Sequence, residues 1–277
     1  MMKKGFGNRI IVGLVIALTA VTHWLLFYII IINSFKTKAE ASKLSLSLPA
    51  EWVAWDNYKY VLTYKDFIFL RSMLNSLIIT AVTMAVLVLV ASMTAFVLVR
   101  RKNRFTGFID KLILAGLIAP LSIIPTYWML SKLGLANTMP GLILVEIALM
   151  FSYATMLYKG YIATVPREID EAAILDGCGW RELFFGIHFR LMKPITATVI
   201  ILRAFVVYND FSNPMYFLSG SKSSTVQLCV YTFQTTYGTD WGHLFAAIVL
   251  VSLPPAVLFL IMHKRIMDGM VMGAVKG

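Results

Sequence analysis

Residues 73–104 read MLNSLIITAVTMAVLVLVASMTAFVLVRRKNR. The part 73–99 carries no charged side chain, and the basic run RRKNR, 100–104, follows it directly. About 20 consecutive apolar residues cross the hydrocarbon core of a bilayer as a helix. Lys and Arg clustered at one end of such a run favour the cytoplasmic side. The stretch therefore predicts a membrane-spanning helix whose carboxyl end faces the cytoplasm.

The composition of the whole chain extends this prediction. Of 277 residues, 59% are hydrophobic and only 14% are charged, against roughly 45–50% and about 25% in soluble domains. An ordinary soluble enzyme is thereby excluded, and the 13% aromatic content excludes a disordered chain. Two cysteines, Cys178 and Cys229, are too few for a disulfide framework. The composition indicates a polytopic membrane protein.

Six apolar runs predict an all-α fold with six transmembrane helices in a single transmembrane domain, 1–277. The first run is longer than the 7–15 apolar residues of a signal peptide, so an uncleaved helix is expected. Pro120 and Pro125 predict a kink in the third span, and Arg203 interrupts the short fifth span. The predicted spans are about 10–32, 73–99, 112–130, 141–158, 195–208 and 244–262.

The distribution of basic residues predicts the orientation. With six spans, the side that holds both termini carries 16 Lys and Arg, and the opposite side carries eight. Cytoplasmic loops carry the excess of Lys and Arg, so both termini are expected in the cytoplasm. The net charge of +11 is then explained without a nucleic-acid partner. Cys178 would face the cytoplasm and Cys229 the outside, so they would not pair.

The cytoplasmic loop 159–193 predicts a short helix over 166–176. Pro166 suits the first helical position, acidic residues follow in the first turn where they favour the helix dipole, and Gly177 supplies a left-handed stop. Ala172 and Ala173 predict a surface of little bulk that a partner backbone could approach. The alternative interpretation is an ordinary amphipathic helix at the membrane interface.

The amino-acid sequence of this loop resembles a known motif. Glu171-Ala172-Ala173, then three residues, Gly177, nine residues and Ile187 are similar to the EAA loop of ABC importer permeases. In that family the loop is the coupling helix that docks on the cytoplasmic ATPase. The resemblance implies that Glu171, Ala172, Ala173, Asp176 and Gly177 couple the chain to an ATPase.

Other segments resemble the binding-protein-dependent carbohydrate permeases of the maltose and oligosaccharide type. They are NSFK at 33–36, NDFSNPMYFL at 209–218, YGTDWG at 237–242 and GAVKG at 273–277. One departure is Arg190, which stands where the family usually has proline. The departure leaves open the geometry between the loop and the fifth span, and the segments do not specify which carbohydrate is carried.

The resemblance implies a type I ABC importer permease fold in a bacterial or archaeal plasma membrane. The implied partners are a second permease, which would make a heterodimer, two cytoplasmic ATPases, an extracytoplasmic binding protein and a sugar substrate. ATP and Mg²⁺ would lie on the ATPase, and this chain would bind no cofactor or metal. The sequence contains no G-x-x-x-x-G-K-[ST] phosphate-binding loop. The chain is therefore interpreted as a transport subunit and not an enzyme.

Polar residues at membrane depth are the candidates for the substrate pathway, because burying a charge there is costly. The charged candidates are Glu146, Arg203 and Asp210, and the uncharged candidates are Asn209 and Tyr127, whose ring could stack on a sugar. Asp210 is expected on the same helical face as Arg203. Asn209 is favoured because an amide offers both a donor and an acceptor to a sugar hydroxyl. The alternatives are a structural Glu146–Arg203 pair, contact with the partner permease, and packing of Tyr127 against a neighbouring helix.

Other functions are compatible with the same sequence features. An ABC permease for a non-sugar solute would carry the same motifs. A secondary transporter could use Glu146 or Asp210 to carry protons, and it would work without an ATPase. A membrane enzyme is suggested only by Ser219-Gly220-Ser221-Lys222, which fits the S-x-x-K spacing of a serine nucleophile and a lysine base. No companion motif follows it.

Overall fold

The computed structural model describes residues 6–218, 223–231, 233 and 239–274. These residues form helices and no β-strand, which confirms the predicted all-α class for the part described. The Ser219–Lys222 pattern, Tyr237, Gly238 and residues 275–277 lie outside it. The helices are α1 Phe6–Asn33, α2 Lys38–Ala41, α3 Ala54–Arg100, α4 Arg104–Gly116, α5 Ile123–Lys132, α6 Met139–Ile162, α7 Glu168–Leu175, a π-helix Glu182–His188, α8 Phe189–Leu191, α9 Lys193–Asn209, α10 Ser212–Phe217, α11 Val226–Tyr231 and α12 Trp241–Ala274.

Four helices in the described ranges are long and apolar enough to cross a membrane: α1, α3, α6 and α12. They contain four of the predicted spans, 10–32, 73–99, 141–158 and 244–262. A fifth candidate is a bent pair in which Glu182–Leu191 and Lys193–Asn209 meet at 70°. The chain is a multi-pass membrane protein.

The third and fifth predicted spans differ from single long helices. The region 112–130 consists of α4 and α5 with a non-helical break that includes Pro120. Proline removes a backbone donor and clashes with the preceding turn, so the helix stops there. Helix α9 covers the fifth span but has 17 residues, fewer than the 20 or so that cross a bilayer upright. Six spans therefore remain a prediction.

The chain divides into two compact units, and the first comprises Met1–Leu70 and Cys229–Leu253. Within it, the Asn57 amide in α3 donates to the carbonyls of Ser34 and Lys36, both at 2.9 Å. Gly242 in α12 lies so close to the backbone of Lys36 that an added Cβ would be 2.9 Å from the Lys36 carbonyl oxygen. The unit thus holds the segment after α1 by main-chain contacts that require Asn57 and Gly242.

The second unit comprises Arg71–Leu228 and Pro254–Gly277 and contains the loop 159–193. Tyr158 in α6 donates to Thr196 Oγ1 of α9 at 3.0 Å. Asp110 of α4 forms an ion pair with Lys159 at the end of α6. The buried core of this unit is formed by apolar side chains of α3, α6 and α9, among them Leu87, Ala91, Ala95, Leu142, Ala154 and Val199. This packing fixes the ends from which the loop projects.

Candidate functional site

Helix α7 lies at the centre of the candidate site, and its sequence explains where it ends. The helix stops at Leu175, Asp176 caps it, and Gly177 takes φ +84°. The Gly177 amide donates to the carbonyl of Ile174 at 3.0 Å, and the Cys178 amide donates to that of Ala173 at 2.9 Å. These two bonds make a complete Schellman motif. The predicted left-handed stop at Gly177 is therefore present.

The start of α7 differs slightly from the predicted 166–176. The helix begins at Glu168 with Arg167 as its N-cap residue, so Pro166 lies just before it. Glu168, Asp170 and Glu171 occupy the first turn as expected. The helix is thus two turns long with a defined end, which makes it a short rigid element.

The two alanines of the motif lie on different faces of α7. Ala172 is exposed, whereas Ala173 is 5% exposed and packs into the core of its unit. The expectation that both form a flat outer surface therefore holds for Ala172 alone. Ala173 instead lets α7 pack closely against its own unit. Glu171, Asp176 and Gly177 are exposed.

An exposed leucine completes the outer surface of α7. Leu175 is 88% exposed and Ile174 is 55% exposed. Two adjacent apolar side chains left in the open on a two-turn helix favour a contact with another protein. We define the α7 outer face as Glu171, Ala172, Ile174 and Leu175. The sequence did not predict that Ile174 and Leu175 are exposed, because two consecutive apolar residues in a helix are equally typical of a buried turn.

Asp170 holds α7 to the rest of the unit. Its Oδ2 lies 2.6 Å from Arg100 Nε, and its Oδ1 lies 2.6 Å from His188 Nε2. An ionised carboxylate only accepts, so His188 Nε2 carries the proton in this contact. Arg100 Nη2 also donates to the Val165 carbonyl at 3.1 Å. The Arg100–Asp170–His188 cluster thus joins α7 to the end of α3 and to the π-helix.

The cluster is largely buried. The side chains of Arg100, Asp170 and His188 are 6%, 13% and 0% exposed. Phe96 packs on His188 with ring centroids 4.7 Å apart and on Phe184 at 5.4 Å. Low exposure strengthens the ion pairs and raises the cost of removing one partner. Sequence reasoning missed this cluster, because nothing in the linear sequence relates its three members.

Of the candidate pathway residues, Glu146 and Asp210 interact through their carboxyl groups and both accept from Asn213, whereas Arg203 has a separate partner. Glu146 is 1% exposed and accepts a hydrogen bond from Asn213 Nδ2 at 2.9 Å. The Arg203 guanidinium lies over the Tyr153 ring, 3.8 Å from its centre. Each group has a partner of its own, so the structure does not form the Glu146–Arg203 pair considered as an alternative.

Asp210, which follows α9, caps the turn after the helix in addition to contacting Glu146. Helix α9 stops at Asn209, and Asp210 takes an extended backbone, so the expected continuous face from Arg203 to Asp210 is interrupted. The Asp210 carboxylate accepts from the amides of Ser212 at 2.8 Å and Asn213 at 3.3 Å, which caps the turn after α9.

Asn209 and Tyr127 both present polar groups at an exposed surface. Asn209 is exposed, and its Oδ1 accepts from Gln227 Nε2 at 3.1 Å. The Tyr127 hydroxyl accepts from Asn137 Nδ2 at 2.9 Å. The Asn209 Nδ2 also donates to the Phe205 carbonyl at 2.9 Å, so both ends of this exposed amide make contacts within the chain.

Comparison with known proteins places this arrangement among transport components. The profile of the family described as "binding-protein-dependent transport system inner membrane component" matches residues 61–271. The chain is 32% identical over 270 residues to the melibiose/raffinose/stachyose import permease protein MelC of Bacillus subtilis, covering 96% of each chain. It is 35% identical over 208 residues to the multiple sugar-binding transport system permease protein MsmG of Streptococcus mutans, covering 73% of this chain and 75% of MsmG.

Solved structures share the fold. A chain from a bacterial ABC transporter involved in the import of the acidic polysaccharide alginate superposes with a TM-score of 0.80 and 19% identity, covering 95% of this chain and 99% of the other. A second structure, of the bacterial alginate ABC transporter in complex with an alginate pentasaccharide-bound periplasmic protein, gives a TM-score of 0.59 at 14% identity over 76% of this chain and 81% of the other. The likeness supports the helical fold.

Proposed function

Because the chain belongs to the family of binding-protein-dependent transport system inner membrane components, we propose that it is a permease subunit of an ATP-driven importer of oligosaccharides or related sugars. Family membership assigns it to transport and not to catalysis. The relatives named as permeases for melibiose, raffinose and stachyose, and for multiple sugars, support a carbohydrate substrate.

The observation that carries the proposal is the α7 outer face on a rigidly held helix. A Schellman motif ends α7 at Gly177, and the buried Asp170 fixes its inner side. Glu171 and Leu175 remain exposed and offer one charge and one apolar anchor. A short helix that is fixed within the permease and apolar on its outer side suits docking into a groove of an ATPase. Closure of the ATPases would then be transmitted through Asp170 to α3.

The proposed assembly follows from this role. A second permease completes the pathway, two ATPases bind ATP and Mg²⁺, and an extracytoplasmic protein delivers the sugar. This chain binds no nucleotide in the proposal. The solved neighbour in complex with a periplasmic protein supports the last partner. The proposed location is the plasma membrane of a bacterium or archaeon.

The function is tested by purifying the complex and identifying the bound molecule by mass spectrometry. We expect a co-purified ATPase, a second permease and an oligosaccharide. In cells, uptake of labelled raffinose should stop when the gene is deleted and return when it is restored. Uptake should also require ATP. A bound amino acid or peptide would favour the non-sugar permease, and uptake driven by a proton gradient without an ATPase would favour a secondary transporter.

We propose six spans with cytoplasmic termini, and cysteine accessibility tests this topology. In a chain without native cysteines, Lys43→Cys and Lys111→Cys both place a thiol at an exposed position. A membrane-impermeant maleimide added to intact cells should label Lys43→Cys at least tenfold more than Lys111→Cys, and permeabilised cells should label both. The native Cys229 is fully buried and is a poor probe. Equal labelling from outside would contradict the proposed topology.

We propose that Asn209 and Arg203 contact the substrate, with Asp210, Glu146 and Tyr127 in supporting positions. Asn209→Ala removes an exposed amide at the end of α9, so uptake should fall about fivefold to tenfold because one hydrogen bond to a hydroxyl is lost. Arg203→Ala should have a smaller effect, since its guanidinium already packs on Tyr153. Labelled sugar uptake and co-purification of the ATPase are the measurements.

The matched control for Asn209→Ala is Thr198→Ala on the same helix. Thr198 is half-buried, and its hydroxyl donates to the Pro194 carbonyl, so its truncation removes a local bond only. If Asn209→Ala and Thr198→Ala import sugar at the same rate, α9 does not contribute Asn209 to the pathway.

A further inference from the structure

Two apolar grooves meet at Arg101 in the second unit. The first has a volume of about 260 Å³ and the second about 370 Å³. Both are lined by Met93, Val97 and Arg101, so they run along the same end of α3. Phe184 and Phe185 close the first groove, and Phe105 and Ile109 of α4 contribute to the second. The surface therefore has apolar residues on both sides of Arg101, and Arg181 also lines the first groove.

The position of these grooves relative to the bilayer follows from the sequence. Arg101 comes two residues after the apolar run 73–99 ends. Met93 and Val97, two turns and one turn before Arg101, are 43% and 42% exposed. Exposed apolar residues next to the first basic residues of a span lie at the boundary between hydrocarbon and water. The grooves thus open where acyl chains meet lipid headgroups.

Among the described residues, the arginines that line the grooves form no ion pair with an acidic side chain. Arg101 lies over the Trp180 ring, 4.8 Å from its centre, and Arg181 lines the first groove. Within the described ranges no ion pair includes Arg101 or Arg181, whereas the adjacent Arg100 pairs with Asp170. The neighbouring Glu182 accepts instead from the Gly179 amide at 3.0 Å. Lys102 and Arg104 add positive charge nearby.

We propose that this surface binds an anionic phospholipid, with the phosphate between Arg101 and Arg181 and one acyl chain in each groove. Basic pockets at the ends of spanning helices suit anionic headgroups. The planar guanidinium of arginine matches phosphate geometry, and stacking on an aromatic ring holds it in place. Trp180 positions Arg101 in this way, and the two grooves match the two chains of one lipid. The site is independent of the proposed transport function.

The test is native mass spectrometry of the full-length chain in detergent with added phosphatidylglycerol or phosphatidylcholine. We expect retention of phosphatidylglycerol over phosphatidylcholine. Each basic residue near an anionic surface contributes about 1 kcal/mol. Arg101→Gln should therefore weaken phosphatidylglycerol binding about fivefold, and Arg101→Gln with Arg181→Gln about 30-fold. Lys111→Gln removes one exposed positive charge of α4 outside the grooves and is the matched control, with no change expected.

A second variant tests the grooves without changing charge. Val97→Trp fills the part that both grooves share and should reduce retention of phosphatidylglycerol at least tenfold. Equal retention of the two lipids, or the same loss for Lys111→Gln as for Arg101→Gln, would overturn the proposal. Retention by the isolated chain but not by the assembled complex would also overturn it, because another subunit would then occupy the grooves.

Discussion

Replacing Gly177 by valine is expected to abolish sugar uptake and to weaken ATPase binding while the permease still inserts. Gly177 has φ +84°, a conformation that a β-branched residue disfavours strongly. Such backbone strain costs about 1–3 kcal/mol, and relief of it would break the Schellman bonds that end α7. The α7 outer face would then lose its fixed direction. The measurements are ATPase retention on the purified permease and uptake in the same cells.

Gly177→Asn is the control that separates backbone conformation from steric hindrance. An added Cβ at Gly177 meets no atom within 4 Å, so a side chain has room inside this chain. Asparagine tolerates the left-handed conformation better than valine. Gly177→Asn should keep a substantial part of uptake. Full ATPase retention and normal uptake for Gly177→Val would remove α7 as the coupling element.

Asp170→Ala should reduce uptake at least tenfold and lower the thermal stability of the permease. The change leaves Arg100 buried without its carboxylate and leaves His188 without an acceptor at Nε2. Removal of one partner from a buried ion pair destabilises by about 3–5 kcal/mol. Part of the lost stability weakens the attachment of α7 to α3. ATP hydrolysis should therefore continue, but less sugar should be imported for each ATP hydrolysed.

Glu171→Ala is the matched control for Asp170→Ala. The two acids are adjacent in α7, but Glu171 is exposed and no ion pair in the described residues includes it. Loss of this surface charge should lower uptake only a few-fold, since one contact with the ATPase is removed. Equal uptake and equal melting temperatures for the two variants would show that the buried cluster does not position α7.

The sequence correctly predicted those membrane helices whose formation depends on local composition alone. The runs 10–32, 73–99, 141–158 and 244–262 lie in long apolar helices, because about 20 apolar residues suffice for a span. The run 112–130 was equally apolar, but Pro120 broke it into α4 and α5. Whether two short helices together cross a bilayer depends on their neighbours, and composition does not contain that information.

The local structure of the loop 159–193 was predicted better than the side-chain contacts of the candidate pathway residues. A left-handed residue at the end of a helix favours glycine whatever surrounds it, so the stop at Gly177 follows from residue type. The family to which the Glu171-Ala172-Ala173 segment pointed is confirmed by the profile match over 61–271. In contrast, the partners of Asp170 are 70 and 18 residues away. Contacts over such separations depend on the packing of the helices.

Helix α1 has a consequence for how the chain is made. Only 6% of the apolar stretch of this helix is buried by the other described residues. A helix in lipid satisfies all its backbone hydrogen bonds within itself, so α1 needs no other segment in order to be stable there. It also leaves the ribosome before the other described helices. Membrane insertion can therefore begin with α1, which is stable in lipid by itself. Helices α3 and α6, which are more buried, can assemble afterwards.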